Sequence, residues 1–213
     1  MSDSRVRIAR RVAKFLQNGD LVNLGIGLPT LVANYLPEGL EVEFQSENGL
    51  IGLGGAPEAG QEDQDITNAG AQPATLAVGA SCFDSAMSFA VIRGGHVGVT
   101  VLGALEVDQE GNLANWIVPG KMVPGMGGAM DLVAGAKTVI VAMEHCTKAG
   151  ASKVLKHCTL PLTASRRVKY IVTELAVLKV TEHGLELMET APGEVQEKTE
   201  ATLLIPDTVG CME

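Results

Sequence analysis

LVNLGIGLPT, residues 21–30, gives the clearest indication of the fold class in this chain. Its first four residues, Leu21–Leu24, predict a short buried strand, and the two glycines that follow predict a tight turn. Thr30 can cap a following helix over residues 31–36, which would end before Pro37. A strand that passes through a glycine turn into a helix is the unit from which parallel α/β sheets are built.

Composition extends this interpretation to the whole chain. Apolar residues make up 46% of the 213 residues and aromatic residues only 3%, so Val, Leu, Ile and Ala must fill the core beside 25 glycines. This combination favours parallel strands and tight turns, and we therefore predict an α/β fold. No low-complexity linker or internal repeat divides the sequence, so residues 1–213 are predicted to form a single domain.

The charge distribution restricts the possible partners. A formal net charge of −9 argues against nucleic acid or an anionic membrane as the main partner. Basic residues are concentrated in the first fourteen positions, where they could mimic a transit peptide. Apolar residues recur there at helical spacing, behind Ser4 as a cap and before Asn18-Gly19 as a stop signal, so a first structural helix is the favoured interpretation.

The four cysteines show no CxxC spacing, and no signal-peptide pattern precedes them. Both observations favour a reduced, cytoplasmic setting. No apolar run approaches the roughly 20 residues that a bilayer-spanning helix needs, so no membrane association is predicted. The pairs His145-Cys146 and His157-Cys158 suggest a zinc site, but adjacent residues on a strand point to opposite faces of the sheet, and we predict no metal.

The segment SENG, residues 46–49, carries an isolated carboxylate. It follows an apparent strand over residues 40–45 and precedes an apolar, glycine-rich run over residues 50–57. A carboxylate with few polar neighbours is costly to bury unless the protein uses it chemically. Glu-Asn-Gly is also ordinary turn chemistry, and spacing alone favours an exposed turn residue at Glu47.

Two glycine-rich segments are candidate binding loops. The turn from Gly25 to Thr30 lacks the third glycine of a dinucleotide-binding fingerprint, which makes a nucleotide site there a weak prediction. Residues 125–131, GMGGAMD, place unhindered backbone N–H groups before a predicted helix over residues 131–136, an arrangement that can stabilise an oxyanion. The alternative is a flexible connection with a helix cap at Asp131, and the local sequence alone favours that alternative.

Several of these segments occur together, in the same order, in one known enzyme family. They are residues 25–29, 46–49, 93–97, 113–116, 119–123 and 125–131. The set resembles the β subunit of family I CoA-transferases, the group of 3-oxoacid, acetate–acetoacetate and butyrate–acetoacetate CoA-transferases. The similarity extends over about residues 5–205.

The resemblance implies a fold, a partner and a set of site residues. The fold would be an open, mostly parallel α/β sheet with helices on both faces. Glu47 would be the covalent nucleophile, and the backbone N–H of Gly128 would contribute to the oxyanion hole. Coenzyme A would be a co-substrate with no permanently bound cofactor, and an α subunit, in an α2β2 heterotetramer, would complete the site. The residues implied at the coenzyme A site are Asn23, Gly25, Gly27, Asn48 and Gly49.

The implied activity moves coenzyme A between an acyl-CoA and a carboxylic acid by a ping-pong mechanism, through a glutamyl-CoA thioester on Glu47. Acetoacetate with acetate, butyrate or succinate are the implied acids, and apolar walls from Leu50, Ile51 and Leu53 would keep water away from Glu47. Two alternatives remain open at this point. One is a sugar-phosphate isomerase of related fold, and the other is a non-catalytic partner subunit.

Overall fold

A computed structural model describes residues 3–121, 123, 125–191 and 195–212, and most of these residues build around one large sheet. Met122 and Pro124 of the predicted glycine- and proline-rich loop lie outside the described residues. The strands, in chain order, are β1 (Leu21–Leu24), β2 (Glu43–Ser46), β3 (Leu50–Leu53), β4 (Leu76–Cys82), β5 (Val99–Leu102), β6 (Glu106–Asp108), β7 (Leu113–Ala114), β8 (Thr138–Ala142), β9 (Val154–Leu155), β10 (Tyr170–Val172), β11 (Ala176–Thr181), β12 (Gly184–Thr190), β13 (Leu203–Leu204) and β14 (Gly210–Cys211).

The centre of the large sheet is parallel. Strands β2, β1, β5, β8 and β10 lie side by side in that order and all run in the same direction. Antiparallel strands extend the sheet on both sides, β3 and β4 beyond β2, and β11 and β12 beyond β10. Strands β7, β6 and β9 form a separate small sheet. The prediction of an open, mostly parallel α/β sheet is confirmed.

Helices cover both faces of this sheet, because the central strands are apolar on both sides. Helix α1 (Asp3–Ala13) packs Ile8 and Val12 against one face, in a cluster that includes Val22 and Val101. Helices α2 (Ser85–Arg93) and α3 (Ala129–Gly135) cover the other face, where Leu132 belongs to a second cluster. Successive residues of β8 alternate between the two clusters, as the side-chain period of a strand requires.

Two local predictions were wrong in detail. The segment after β1 is a 3₁₀ helix (Pro29–Tyr35), and the Thr30 hydroxyl donates back to the Gly27 carbonyl at 2.8 Å instead of capping the helix N–H groups. The first helix ends at Ala13, before the predicted stop at Asn18-Gly19.

Across the described ranges, no helix is long and apolar enough to cross a membrane. The organisation of residues 1–213 as a single domain stays a prediction.

Candidate active site

Glu47 lies at the tip of the hairpin that joins β2 to β3. Ser46 pairs with Leu50 across the two strands, and the Gly49 N–H donates to the Ser46 carbonyl at 3.0 Å to close the turn. Because β2 is a central parallel strand, this turn lies at the carboxyl edge of the sheet, where α/β proteins bind their ligands. Glu47 itself is half-buried.

Asn48 and Gly49 follow Glu47 and hold the turn. The Asn48 side chain does not hydrogen-bond to the Glu47 side chain. Gly49 has a φ of +120°, and a Cβ at this position would collide with the Phe83 carbonyl oxygen. Only glycine therefore fits here. The Asn48 side chain is exposed and donates to the Thr67 carbonyl at 2.8 Å, which anchors the turn to a neighbouring loop.

Asn23 is the closest hydrogen-bonding neighbour of the Glu47 carboxylate that the structure describes. It is fully buried on β1, and its Nδ2 donates to Glu47 Oε2 at 3.2 Å and to Gln45 Oε1 at 2.7 Å. Asn23 and Gln45 are register partners on adjacent parallel strands, so their side chains project from the same face of the sheet. The structure thus brings predicted residue Asn23 directly to predicted residue Glu47.

Gln45 and Ser88 are polar neighbours of the site that were not predicted from the sequence. Gln45 Nε2 donates to Ser88 Oγ at 2.9 Å, and Ser88 Oγ donates to the Ser46 carbonyl at 3.3 Å. Both side chains are buried, one on β2 and the other on α2. A sequence signal existed for Asn23, because it is the one polar residue in the otherwise apolar strand Leu21–Leu24.

The expectation of an apolar neighbourhood around Glu47 was wrong on the side of Asn23. That expectation rested only on the residues that follow Glu47 in the chain, whereas the sheet places polar side chains from β1 and β2 beside it. The carboxylate therefore meets an N–H donor as well as carbon atoms. A hydrogen bond to the charged form of a carboxylate stabilises that form.

Gly128 also packs against Glu47. It is buried immediately before α3, and a Cβ built on it would lie 3.5 Å from Glu47 Cδ and 3.4 Å from Phe89 Cζ. The start of α3 is tied to α2 by the Arg93–Asp131 ion pair, whose Nε–Oδ1 distance is 2.7 Å. Glycine at this position leaves the space beside the carboxylate carbon open, which a methyl group would fill.

The turn that contains Gly25 and Gly27 lies at the same edge of the sheet. The Gly25 N–H donates to the Val101 carbonyl at 2.8 Å, and a Cβ on Gly25 would lie 3.1 Å from that oxygen, so the residue is packed closely against β5. Gly27 is exposed and has a φ of +91°. Exposed Ile26 lies between them. The turn presents backbone and one apolar side chain to solvent near β1.

Cavity size alone does not identify the site. A cavity of about 870 Å³ is lined by residues such as Lys137 and Lys169, which precede β8 and β10 at the opposite edge of the sheet. A smaller cavity of about 320 Å³ lies beside β1 and β2, between the Ile26 turn and the segment around Leu53, and includes Ser46 in its wall.

His145 has a structural environment. Its ring nitrogens lie 3.0 Å from Thr173 Oγ1 and 2.9 Å from Thr199 Oγ1, and burial, together with the charges of Lys198 and Lys153, lowers its pKa to about 4. Within the described ranges, no cluster of His, Cys, Asp and Glu side chains could hold a metal ion. All four cysteines are free thiols.

The sequence profile of the family described as Coenzyme A transferase matches residues 5–198, which is nearly the whole chain. The chain belongs to the coenzyme A transferase family. This membership confirms the resemblance drawn from the motifs, and it decides against the isomerase alternative.

Individual relatives agree with the family assignment. The chain is 59% identical over 203 residues to the beta subunit of the acetate CoA-transferase of Escherichia coli K12, with 93% of each chain covered. It is 51% identical over 213 residues to one subunit of a probable succinyl-CoA:3-ketoacid coenzyme A transferase of Bacillus subtilis 168, with 98% of this chain and 99% of the relative covered. Its fold matches a solved acyl-CoA transferase of E. coli O157:H7, described as a thioester complex with CoA, at a TM-score of 0.76 and 23% identity. That match covers 100% of this chain and 44% of the larger polypeptide.

Proposed function

We propose that this chain is the catalytic β subunit of a CoA-transferase that exchanges coenzyme A between an acyl-CoA and a carboxylate, with Glu47 as nucleophile. The observation that carries the proposal is the position of the Glu47 carboxylate. It lies at the carboxyl edge of the sheet, hydrogen-bonded to the Asn23 amide and packed close to Gly128. A carboxylate suits this exchange because its own CoA thioester is close in energy to that of the substrate.

The reaction balances without any redox step. A Glu47 carboxylate oxygen attacks the thioester carbonyl carbon of the donor, and the carbon–sulfur bond breaks to give a mixed anhydride and CoA thiolate. The thiolate attacks Glu47 Cδ, the anhydride carbon–oxygen bond breaks, and the donor leaves as a carboxylate. The acceptor carboxylate then repeats both steps in reverse, which gives ping-pong kinetics.

Each tetrahedral intermediate carries an oxyanion that needs a positioned donor. The Asn23 Nδ2–H already donates to Glu47 Oε2, so it is placed to stabilise the oxyanion that forms when Glu47 Cδ is attacked. The Gly128 N–H is our candidate for the oxyanion that forms on the acyl group. One preorganised donor of this kind is worth roughly 3 kcal/mol in the transition state.

The partner and the substrates are also proposals. Both the E. coli and the Bacillus relatives are named as single subunits of a transferase, which supports an α-type partner for this chain, and we propose an α2β2 assembly. Their names, acetate CoA-transferase and succinyl-CoA:3-ketoacid CoA-transferase, support acetoacetate, acetate and succinate as substrates, with butyrate as a further candidate. Gly25, Gly27, Asn48 and Gly49 are proposed to lie along the coenzyme A path, and the reduced cytoplasm stays the predicted setting.

Reconstitution tests this proposal. The chain is expressed alone, the α partner alone, and the two together. Each preparation is then assayed for CoA transfer from acetoacetyl-CoA to acetate, butyrate or succinate. We expect transfer only from the pair, and none from a pair that carries Glu47→Gln. Full activity of the Glu47→Gln pair would instead identify this chain as a non-catalytic partner.

A further inference from the structure

The buried side chain of Ser88 belongs to a chain of hydrogen bonds that reaches the Glu47 carboxylate through two amides. We propose that Ser88 and Gln45 are positioning residues, which fix the Asn23 amide so that it presents an N–H group, and not its oxygen, to Glu47. This inference rests on the proposed role of Glu47 and adds two residues that do not touch the reacting atoms.

The direction of the chain of hydrogen bonds is set at its far end. The Ser88 hydroxyl donates at 3.3 Å to the Ser46 carbonyl, an oxygen that can only accept and that also accepts from the Gly49 N–H. The Ser88 oxygen then offers a lone pair, and Gln45 meets it with Nε2 at 2.9 Å. Gln45 is thereby oriented with Oε1 pointing away from helix α2.

The same logic fixes the next amide. Asn23 Nδ2 donates to Gln45 Oε1 at 2.7 Å and to Glu47 Oε2 at 3.2 Å, and the Gln45 backbone carbonyl lies 3.3 Å from the same nitrogen as a further acceptor. If the Asn23 amide were rotated by 180°, its oxygen would face Gln45 Oε1 and the Glu47 carboxylate, two acceptors that offer no proton. Ser88, through Gln45, therefore reinforces the orientation in which Asn23 presents its N–H group to the nucleophile.

The unused atom of Asn23 supports this interpretation. Asn23 Oδ1 is buried and has no hydrogen-bond partner among the described residues. An unpaired buried acceptor is costly, and rotation of the amide would not remove this cost, because it would turn Oδ1 toward Gln45 Oε1 and Glu47 Oε2. The network instead holds the N–H end toward Gln45 and Glu47, which indicates that the orientation is imposed by its neighbours.

All three side chains are well shielded from water. Asn23 and Ser88 are fully buried and Gln45 is 2% exposed. Hydrogen bonds in such surroundings are stronger than in water, and an amide that loses its partner there cannot be rescued by solvent. Helix α2 also carries Phe89, which contacts the Gly128 position, so one helix adjusts both sides of the Glu47 carboxylate.

A double-mutant cycle in the assembled enzyme tests the proposal. The variants are Ser88→Ala, Asn23→Leu and their combination, each co-purified with the α partner and assayed for CoA transfer. Thr100→Val is the control, because Thr100 is equally buried and is the register partner of Asn23 on β5, yet it forms no side-chain hydrogen bond to a described residue.

Ser88→Ala should lower kcat about tenfold, with the acyl-CoA KM unchanged because Ser88 does not touch substrate. In the Asn23→Leu background the same change should lower kcat less than about twofold, since Ser88 acts through Asn23. Thr100→Val should leave kcat unchanged. If Ser88→Ala does not fold, Gln45→Met takes its place in the cycle with the same expectations.

Three outcomes would overturn the proposal. They are an equal loss of kcat from Ser88→Ala in both backgrounds, no loss of kcat in the wild-type background, or a loss of kcat of the same size in Thr100→Val. Wild-type enzyme is also treated with acyl-CoA alone and examined for CoA on Glu47. Absence of CoA on Glu47 would contradict both the proposed function and this inference. A normal CoA adduct on Glu47, together with additive effects of Ser88→Ala and Asn23→Leu on kcat, would contradict this inference alone.

Discussion

Gly128→Ala should separate folding from catalysis, because the structure predicts opposite effects on the two. The added Cβ would lie 3.5 Å from Glu47 Cδ and Cγ and 3.4 Å from Phe89 Cζ, which are ordinary van der Waals distances. Gly128 has a φ of −80°, which alanine adopts without strain. The change should therefore leave the free energy of unfolding the same or raise it by up to about 1 kcal/mol, since alanine restricts the unfolded chain.

Catalysis should suffer because the methyl group fills space beside the carbon that reacts. An attacking atom must approach to about 3–3.5 Å in good alignment, and a displacement near 1 Å costs about 10²-fold. The new Cβ occupies a position at that distance from Cδ. We therefore expect kcat for CoA transfer to fall at least about 100-fold, equivalent to about 2.7 kcal/mol.

The assay follows consumption of acetoacetyl-CoA with acetate by the assembled enzyme, beside urea unfolding of each variant. Gly55→Ala is the matched control, because a Cβ there meets nothing within 4 Å and the residue does not need a positive φ. It should keep both activity and stability. A wild-type kcat in Gly128→Ala would refute the placement of Gly128 beside the carbon proposed to react. A fall of several kcal/mol in the free energy of unfolding of Gly128→Ala would refute the prediction that the added methyl group fits without strain.

The remaining predictions concern the nucleophile, its amide neighbour and the buried histidine. Glu47→Asp withdraws the carboxylate by one methylene from the Asn23 amide, so kcat should fall at least about 100-fold while unfolding is unchanged; near-normal kcat would contradict a positioned nucleophile. Asn23→Leu removes a hydrogen bond to a charged group, worth about 1.5–3 kcal/mol, and should lower kcat/KM about 10- to 150-fold; an unchanged kcat/KM would show that this bond does not act in the transition state. The pKa of His145 is about 4 in the folded protein against 6.5 in the unfolded chain, so the unfolded state binds more protons between these pH values. The contribution of His145 to stability is therefore complete above pH 6.5 and is lost as the pH falls toward 4. Urea unfolding should show that the free energy of unfolding falls by up to about 3 kcal/mol between pH 6.5 and pH 4, and that this fall is absent in His145→Gln. Identical pH dependence of the two proteins would contradict the lowered pKa of His145.

The sheet and its helices could be predicted because their signals are local. Residues 21–24 are a short, mostly apolar run followed by a glycine turn, and they form the central parallel strand β1. The 3₁₀ geometry after β1 could not be predicted from Thr30, because that hydroxyl has a choice of partners and turns back to Gly27.

The candidate site was only partly visible in the sequence. Glu47 and Gly128 were suggested by motifs, but their proximity depends on how α3 packs over the end of β2, which no local pattern encodes. Gln45 and Ser88 are 43 positions apart and meet only because α2 lies across the sheet. Their hydrogen bond belongs to the tertiary structure, and a polar residue inside a strand was its only trace in the sequence.

The most direct test of the central claim is to identify the residue that carries coenzyme A during turnover. The assembled enzyme is mixed with acetoacetyl-CoA and no acceptor acid, digested, and examined by peptide mass spectrometry, with borohydride to trap the thioester. Without borohydride we predict a CoA adduct on the peptide that contains Glu47. With borohydride we predict that the thioester at that side chain is reduced and CoA is released. A CoA adduct on any other carboxylate, or none in the presence of the α partner, would contradict the role of Glu47 as the nucleophile.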